Sequence, residues 1–502
     1  MNSAKTANYL LLEKLLGQID HLGNLLNIIN WDYSTYMPSG SASSRQEEIT
    51  TLSSIIHKML TAKETGDLIA KAEQELSFLT KWQKANLRES KRNFLHSSCI
   101  SDNLQERYTK ASSQCEFIWR EARKQNDFNL LKPYLQNVID ITKEIATVKS
   151  EHLNLSKYDS LIDMYDPGRK CASIKPVYDK LKLQLPELIR KIIEKQSKET
   201  VLPLTDKINI EQQKAIGKRV MEVMGFDFNK GRLDVSAHPF CGGTHNDLRL
   251  TARYDENNFL SGLWAIIHET GHGLYELYLP NEYKNQPVGN AKGMAFHESQ
   301  SLVMEMQAAR TQEFIEFLAK LLRDEFAFIG QEYSSDNLYK LATRVNPSFI
   351  RVDADEVTYP LHVILRFEIE HQLIEGSLTV DDLTECWNLK MQEYLGIKPS
   401  SYSEGCLQDI HWPSGSFGYF PAYTNGAIIA SMLMKKAKEE NSNILSALKE
   451  GNFSDLNLFL NTNLRSLGSL HETTELLQIS TGYTEVQPEI FINYLSQKYL
   501  QI

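Results

Sequence analysis

The stretch "HETGH" runs from His268 to His272. On an α-helix, side chains four residues apart emerge on one face a turn apart. Both imidazoles can therefore reach one metal ion. Glu269 is too close in sequence to His268 to complete the same tetrahedron, but it can face a water held by the ion. The pattern offers two ligands and a general base. A catalytic zinc site needs three protein ligands and an open position. The following "GLYELYLPNEYKN" contains no histidine. Glu298 lies in the next helix-like segment, "GMAFHESQSLVMEMQAAR", after the turn-rich "LPNEYKNQPVGNAKG". A helix–loop–helix order makes Glu298 available as the third ligand. His297 competes for that place, although adjacent residues on a helix point about 100° apart. Glu276, one turn beyond His272, reads either as an acceptor that orients His272 or as a surface charge.

These residues need elements to hold them. "FLSGLWAII" supplies an apolar helix ahead of the histidines. Just before it, "NDLRLTARY" alternates polar and apolar residues, the period of a half-buried strand. "RLDVS" (Arg232 to Ser236) is its candidate partner, with the turn-rich "HPFCGGTHN" between them. Such a small sheet suits either a peptide-binding edge, to which a substrate adds as a strand, or a structural hairpin over the core. The N-terminal region reads as helical. Leu12, Leu15, Leu16, Ile19, Leu22, Leu26 and Ile29 form one apolar stripe, broken by "MPSGSAS" (Met37 to Ser43). The stripe fits a helix packed on its own domain, or a dimer face. "SRQEEITTLSSIIHKML", "SQCEFIWREARKQ" and "KPVYDKLKLQLPELIRKIIEKQ" are further helical segments.

The chain has 502 residues, 42 % of them hydrophobic and 24 % charged, as in ordinary water-soluble proteins. A net charge of −10 argues against nucleic acid as the main partner. Cys99, Cys115, Cys171, Cys241, Cys386 and Cys406 show no metal or disulfide spacing and read as free thiols in a reducing compartment. The N-terminal sequence has no secretory pattern, and no apolar run approaches the roughly 20 residues of a membrane span. The expectation is a cytoplasmic, soluble protein without membrane partners.

Taken together, the motifs resemble the Taq-type metallocarboxypeptidases. The matches are "WDYSTYMPSGSASSR", "HPF" (His238 to Phe240), "DLRLT" (Asp247 to Thr251), "HETGH", "HESQ", "IRVDAD" (Ile350 to Asp355) and "GCLQDIHW" (Gly405 to Trp412), in order along most of the chain. The resemblance implies a mainly α, two-lobed helical fold with a deep groove and a small β-sheet near the zinc helix, related to neurolysin-like and angiotensin-converting-enzyme-like peptidases. It implies one catalytic domain over residues 1–502. Helices of about residues 1–130 would cover the groove, the zinc site would occupy 238–301, and substrate-binding motifs would occupy 350–423. It also implies a homodimer that removes C-terminal residues from peptides with broad preference, proline disfavoured. His268, His272 and Glu298 are then the zinc ligands and Glu269 the base; Co²⁺ accepts similar ligands.

Peptide hydrolysis builds negative charge on a carbonyl oxygen, which preorganised donors stabilise. "HWPSGSFGYFPAY" offers His411, Tyr419 and Tyr423, either as such donors or as core groups. A free C-terminal carboxylate suits a guanidinium. The family's candidate is Arg351, with Arg249 on the strand as the second. Each could instead serve an internal ion pair, Arg351 with Asp353 or Asp355 and Arg249 with Asp247. His238 and His245 are candidates to line the pocket, and the pattern leaves Cys241 without a role. The alternatives are a zinc oligopeptidase or endopeptidase of related fold, or a helical scaffold with a vestigial site.

Overall fold

A computed structural model describes residues 5–501. Residues 1–4 and 502, which the sequence reading includes in the catalytic domain, lie outside the described residues. The architecture is mainly helical with one three-stranded sheet. The first helices are α1 (Ala7–Ser34), α2 (Ala42–Thr61), α3 (Lys63–Glu73) and α4 (Lys81–Ser98). The "MPSGSAS" break falls between α1 and α2, as its Pro and Gly require. Thr80 and Gln83 cap α4 reciprocally, satisfying two donors that the first helical turn leaves open.

These N-terminal helices carry a core of their own. Tyr9, Leu12 and Leu16 of α1 pack with Ile69 and Ala72 of α3 and Leu87 of α4. The expected stripe on α1 is thus only partly committed to packing. Leu15, Ile19, Leu22, Leu26 and Ile29 stay half-buried. Ile19 lines a cavity of about 290 Å³. Further along α1, Asn27, Asn30 and Trp31 line another of about 450 Å³. The end of α1 is tied to the sheet. Guanidiniums of Arg249 and Arg232 lie over the Trp31 ring at 4.2 and 5.2 Å, and the Tyr36 hydroxyl donates to Asp234 at 2.7 Å. Arg45 donates to Asp32 at 2.5 Å, which closes the "WD…R" motif on itself.

The sheet has strands β1 (Gly231–Val235), β2 (Cys241–Thr244) and β3 (Asp247–Ala252) in the order β1-β3-β2. The expected partnership of β1 and β3 holds, but the two run parallel. The hairpin is made instead by β2, inside the expected loop, pairing antiparallel with β3. Thr244 pairs with Asp247, leaving a two-residue turn of His245 and Asn246. Gly243, at φ +91°, allows this bend; a Cβ there would lie 2.1 Å from the Asp247 carbonyl oxygen. "CGGT" has no polar–apolar alternation, so periodicity could not mark it as a strand. Leu248, Leu250 and Ala252 of β3 are buried, as the alternation requires.

Behind the sheet runs α5 (Phe259–Tyr278), capped by the Asn258 side chain and buried along most of its length. Two short 3-10 turns lead to α6 (Gly293–Leu302), which continues as a π-helix over Val303–Ala309. The other site-bearing helices are α7 (Tyr359–Glu375) and α8 (Pro421–Glu440), both buried on nearly all faces. Among the described residues, no helix is long and apolar enough to cross a membrane.

Where α5 meets α6, the backbones touch at Gly271. A Cβ there would stand 2.4 Å from the Gln300 carbonyl oxygen and 2.6 Å from Ser301 Cα. Gly271→Ala must push the helices apart, an overpacking cost of about 1–3 kcal/mol. A lower thermal midpoint for that variant is the expected result. An unchanged midpoint would mean that the seam yields freely.

Candidate active site

The α5–α6 seam brings three donors together. Ligand atoms of His268, His272 and Glu298 all lie within 4.8 Å of one another. Glu298 Oε2 is 3.8 Å from His268 Nε2 and 3.5 Å from His272 Nε2. Tetrahedral ligands about 2.0–2.1 Å from an ion stand roughly 3.3–3.4 Å apart, so the spacing suits one.

The other ring nitrogens are also committed. His268 Nδ1 donates to Glu305 Oε2 at 2.9 Å, and Arg310 donates to Glu305 Oε1 at 2.5 Å. His272 Nδ1 is 2.7 Å from His297 Nδ1, and His297 Nε2 is 2.8 Å from Glu276 Oε1. One proton arrangement satisfies this chain with a free ligand nitrogen: His272 donates to His297, and His297 donates to Glu276. Both Nε2 atoms then present lone pairs to the same point. Both ring nitrogens of His297 are thus engaged, one with His272 and one with Glu276. Glu276 does act on His272, but through His297. Glu305 escaped the sequence reading. It is two turns beyond Glu298 on an apparently continuous helix, and only the α5–α6 packing shows that it meets His268.

The electrostatics ask for a cation. Burial disfavours a charged His268, yet Glu298, Glu305 and Glu269 outweigh it and hold the imidazole up, at about 10. Burial pushes His272 down to about 4, with His297 and His268 adding to the effect while Glu298 opposes it. Burial and the other carboxylates raise Glu269 to about 7. Glu269 makes no side-chain hydrogen bond or ion pair among the described residues and lies within the field of His268, Glu298 and Cys241. Cys241, on β2, is held as a thiol by burial and by Glu269 and Glu276. It lines the 450 Å³ cavity with Glu276 and His297.

A second cluster adjoins the first. Arg351 is buried and sends Nε and Nη2 to Asp409 Oδ1 at 3.1 and 2.9 Å. Arg366 donates to Asp409 Oδ2 at 2.6 Å. Burial works against the Asp409 carboxylate, but the two guanidiniums hold it well below the usual range. Arg351's partner is thus neither Asp353 nor Asp355. Asp355 instead accepts from the backbone of Asn346, Val357 and Thr358. The Arg351 guanidinium lies 4.7 Å from the Tyr423 ring. His411 Nε2 is 3.1 Å from the Tyr423 hydroxyl, and burial holds His411 neutral, down at about 3. The Tyr419 ring stands 5.1 Å from that of Tyr423. Tyr359, which the sequence reading passed over, donates to Glu298 Oε1 at 3.4 Å, and its phenol lies in the field of the Arg351 guanidinium. It joins the two clusters.

The remaining candidates lie apart. Arg249 forms its internal pair with Asp247, at 2.9 and 2.7 Å. His238 is exposed, and its ring makes no hydrogen bond among the described residues. Burial, Arg253, Arg123 and Arg120 all lower its pKa. His245 Nδ1 is 3.4 Å from the Glu276 carbonyl oxygen.

A family model described as carboxypeptidase Taq (M32) metallopeptidase matches residues 11–499. The chain belongs to that family. Carboxypeptidase 1 of Bacillus subtilis is 32 % identical over 488 residues, spanning 97 % of this chain and 96 % of that one. Thermostable carboxypeptidase 1 of Thermus thermophilus is 32 % identical over 490 residues, spanning 95 % and 96 %. Among solved structures, Trypanosoma cruzi metallocarboxypeptidase 1 superposes with a TM-score of 0.96 at 35 % identity, covering 98 % of this chain and 99 % of that one. The M32 carboxypeptidase of Deinococcus radiodurans gives 0.93 at 29 % identity, covering 99 % of each. As an M32 member, the protein is a metallocarboxypeptidase, a peptide hydrolase that works with a divalent metal ion.

Glu298 is wedged by α8. A Cβ at Gly426 would lie 2.7 Å from Glu298 Cβ and 2.8 Å from its Cγ. Gly426→Ala must move the Glu298 side chain without changing a donor. Metal affinity, measured by competition with a chelator, should fall about 10–100-fold, the range for disturbed support of a ligand. Wild-type affinity in Gly426→Ala would remove Glu298 from the donor set.

Proposed function

We propose that this M32 enzyme removes the C-terminal residue of peptides, with Zn²⁺ held by His268, His272 and Glu298 and Glu269 as general base; Co²⁺ can replace zinc in such a set. The observation that carries this reading is the convergence of two free Nε2 atoms and one carboxylate beside the unpartnered Glu269 carboxylate. A divalent ion held by those donors would supply a water of lowered pKa and a Lewis acid for the substrate carbonyl. Glu269 takes the proton of that water and returns it to the departing amine. Tyr419, Tyr423 and His411 supply donors for the charge that grows on the carbonyl oxygen. Neutral His411 serves there as a donor rather than as a counter-charge.

Arg351 binds the terminal carboxylate. Asp409 neutralises only one of the two guanidiniums that share it, so a positive charge is left for an anion. Arg249 is the second candidate. The outer edge of β2, along the 450 Å³ cavity, receives the peptide as an added strand. His238 lines the substrate path further out. Broad side-chain preference, disfavour of proline, a homodimer, one catalytic unit with helices of about 1–130 as its wall, and a cytoplasmic setting complete the reading. Six free cysteines support that setting.

Glu269→Gln should keep about one metal per chain and lose at least roughly 100-fold in kcat. Near-wild-type turnover would remove Glu269 as the base. Glu298→Ala should lose the metal itself, read by emission spectroscopy.

A peptide with an amidated C-terminus should be cleaved far more slowly than its free-acid twin. Leaving a buried guanidinium without its anion costs about 2–5 kcal/mol, more than roughly tenfold in kcat/KM. Arg351→Ala should shrink the gap between the substrates, with Arg249→Ala as control. Equal cleavage of both peptides by the wild type would favour an endopeptidase.

A further inference from the structure

Glu370 lies on α7, fully buried, outside both the metal cluster and the Arg351 cluster. Its carboxylate accepts three hydrogen bonds. Oε2 accepts from the Tyr158 hydroxyl at 2.6 Å and the Gly418 backbone N–H at 3.0 Å, and Oε1 accepts from the Trp412 indole N–H at 2.8 Å. Trp412 directly follows His411, and Gly418 directly precedes Tyr419. One carboxylate therefore holds the loop at both ends, each time beside a side chain assigned to the reacting oxygen.

The loop between those points is built to be held. The Tyr108 hydroxyl donates to the Gly415 carbonyl at 2.7 Å. Gly418, at φ +87°, sits so close to the segment carrying Tyr158 that a Cβ would lie 2.7 Å from Leu161 C and 2.8 Å from Ile162 N. No lysine or arginine forms an ion pair with Glu370 among the described residues. Arg366, one turn earlier, gives its N–H groups to Asp409, Gln408 and the His362 carbonyl. Burial raises the Glu370 carboxyl to about 7, against the pull of its three donors and of Arg366.

Three donors converging on two oxygens need a group that only accepts. A glutamine would turn an N–H₂ toward one of them. A neutral side chain would serve for mere packing, and burying a carboxylate without a cation is expensive.

We propose that Glu370 is a positioning residue, fixing the 411–419 loop so that His411 and Tyr419 meet the carbonyl oxygen of the substrate as its charge develops. This rests on the carboxypeptidase reading given above.

The test uses the full-length, metal-loaded protein. Glu370→Gln should lower kcat for a short peptide by about 10–100-fold, with KM within about twofold of wild type and metal content unchanged. Hydrogen–deuterium exchange of residues 411–419 should rise in the same variant. Adding Trp412→Phe removes the donor that the new amide opposes, so the double variant should recover part of the kcat loss. A role in packing alone makes the two losses add. Wild-type kcat in Glu370→Gln overturns the proposal. Where Glu370→Gln does not fold, Trp412→Phe and Tyr158→Phe decide: lower kcat at constant KM supports it, and wild-type kcat in both overturns it. A metal-loaded wild type that hydrolyses no peptide is a failure of the carboxypeptidase reading instead. Exchange then decides alone: faster exchange in Glu370→Gln supports the pin, and equal exchange overturns it.

Discussion

Negative charge gathered out of water is the constraint on which the rest of the molecule depends. Glu298, Glu305 and Glu269 are all buried around one imidazole, His268. Two like charges 4 Å apart repel by about 4 kcal/mol at the effective dielectric of a protein. Arg310 answers Glu305, and no lysine or arginine forms an ion pair with Glu298 among the described residues. A cation at the Nε2 atoms would relieve the repulsion, and the surrounding helices pack closely around that point. The glycines at 271 and 426 let backbones approach until no methyl group fits between them. The π-helix that follows α6 carries Glu305, a placement typical of functional positions in widened turns.

The same logic, with the signs reversed, governs the neighbouring cluster. Two guanidiniums share one Asp409, and among the described residues no other carboxylate forms an ion pair with either. Tyr359 spans from this cluster to Glu298. Both interactions are made at its one phenolic oxygen, so a single hydroxyl on α7 couples the Arg351 cluster to the Glu298 carboxylate.

What could be read from the sequence follows the reach of local geometry. The pairing of His268 with His272 was legible because four residues on a helix define a face. Glu298 was legible because a turn-rich linker folds the next helix back. Contacts between distant segments were not legible. Arg351 finds Asp409 rather than its sequence neighbours Asp353 and Asp355, because the 3-10 turn at Arg351–Asp353 aims its side chain inward while Asp353 remains exposed. Tyr359 and Glu305 carry no motif, and only tertiary packing brings them to the site. The strand at "CGGT" is defined by its neighbour β3 and by a positive φ at Gly243, not by any pattern of its own. Glu276 was half legible: its direction on α5 was clear, but the intervening ring of His297 was not.

The apolar stripe on α1 shows how such partial agreement carries function. A fully buried stripe would fuse the N-terminal helices to the main core; here only its first part packs, and into a separate core. The joints between the two cores are of unequal strength. At α4, buried Lys292 donates to buried Glu89 at 2.7 Å, and breaking a pair of that kind costs about 3–5 kcal/mol. At the end of α1, Trp31 is held by arginine faces, each contact being worth about 0.5–2 kcal/mol, and by the Tyr36–Asp234 hydrogen bond. The N-terminal helices are anchored at α4 and lightly held at Trp31. Their separation from the sheet therefore costs least at the Trp31 end, beside the cavity that β2 borders, while the α5–α6 seam behind it is packed too closely to follow.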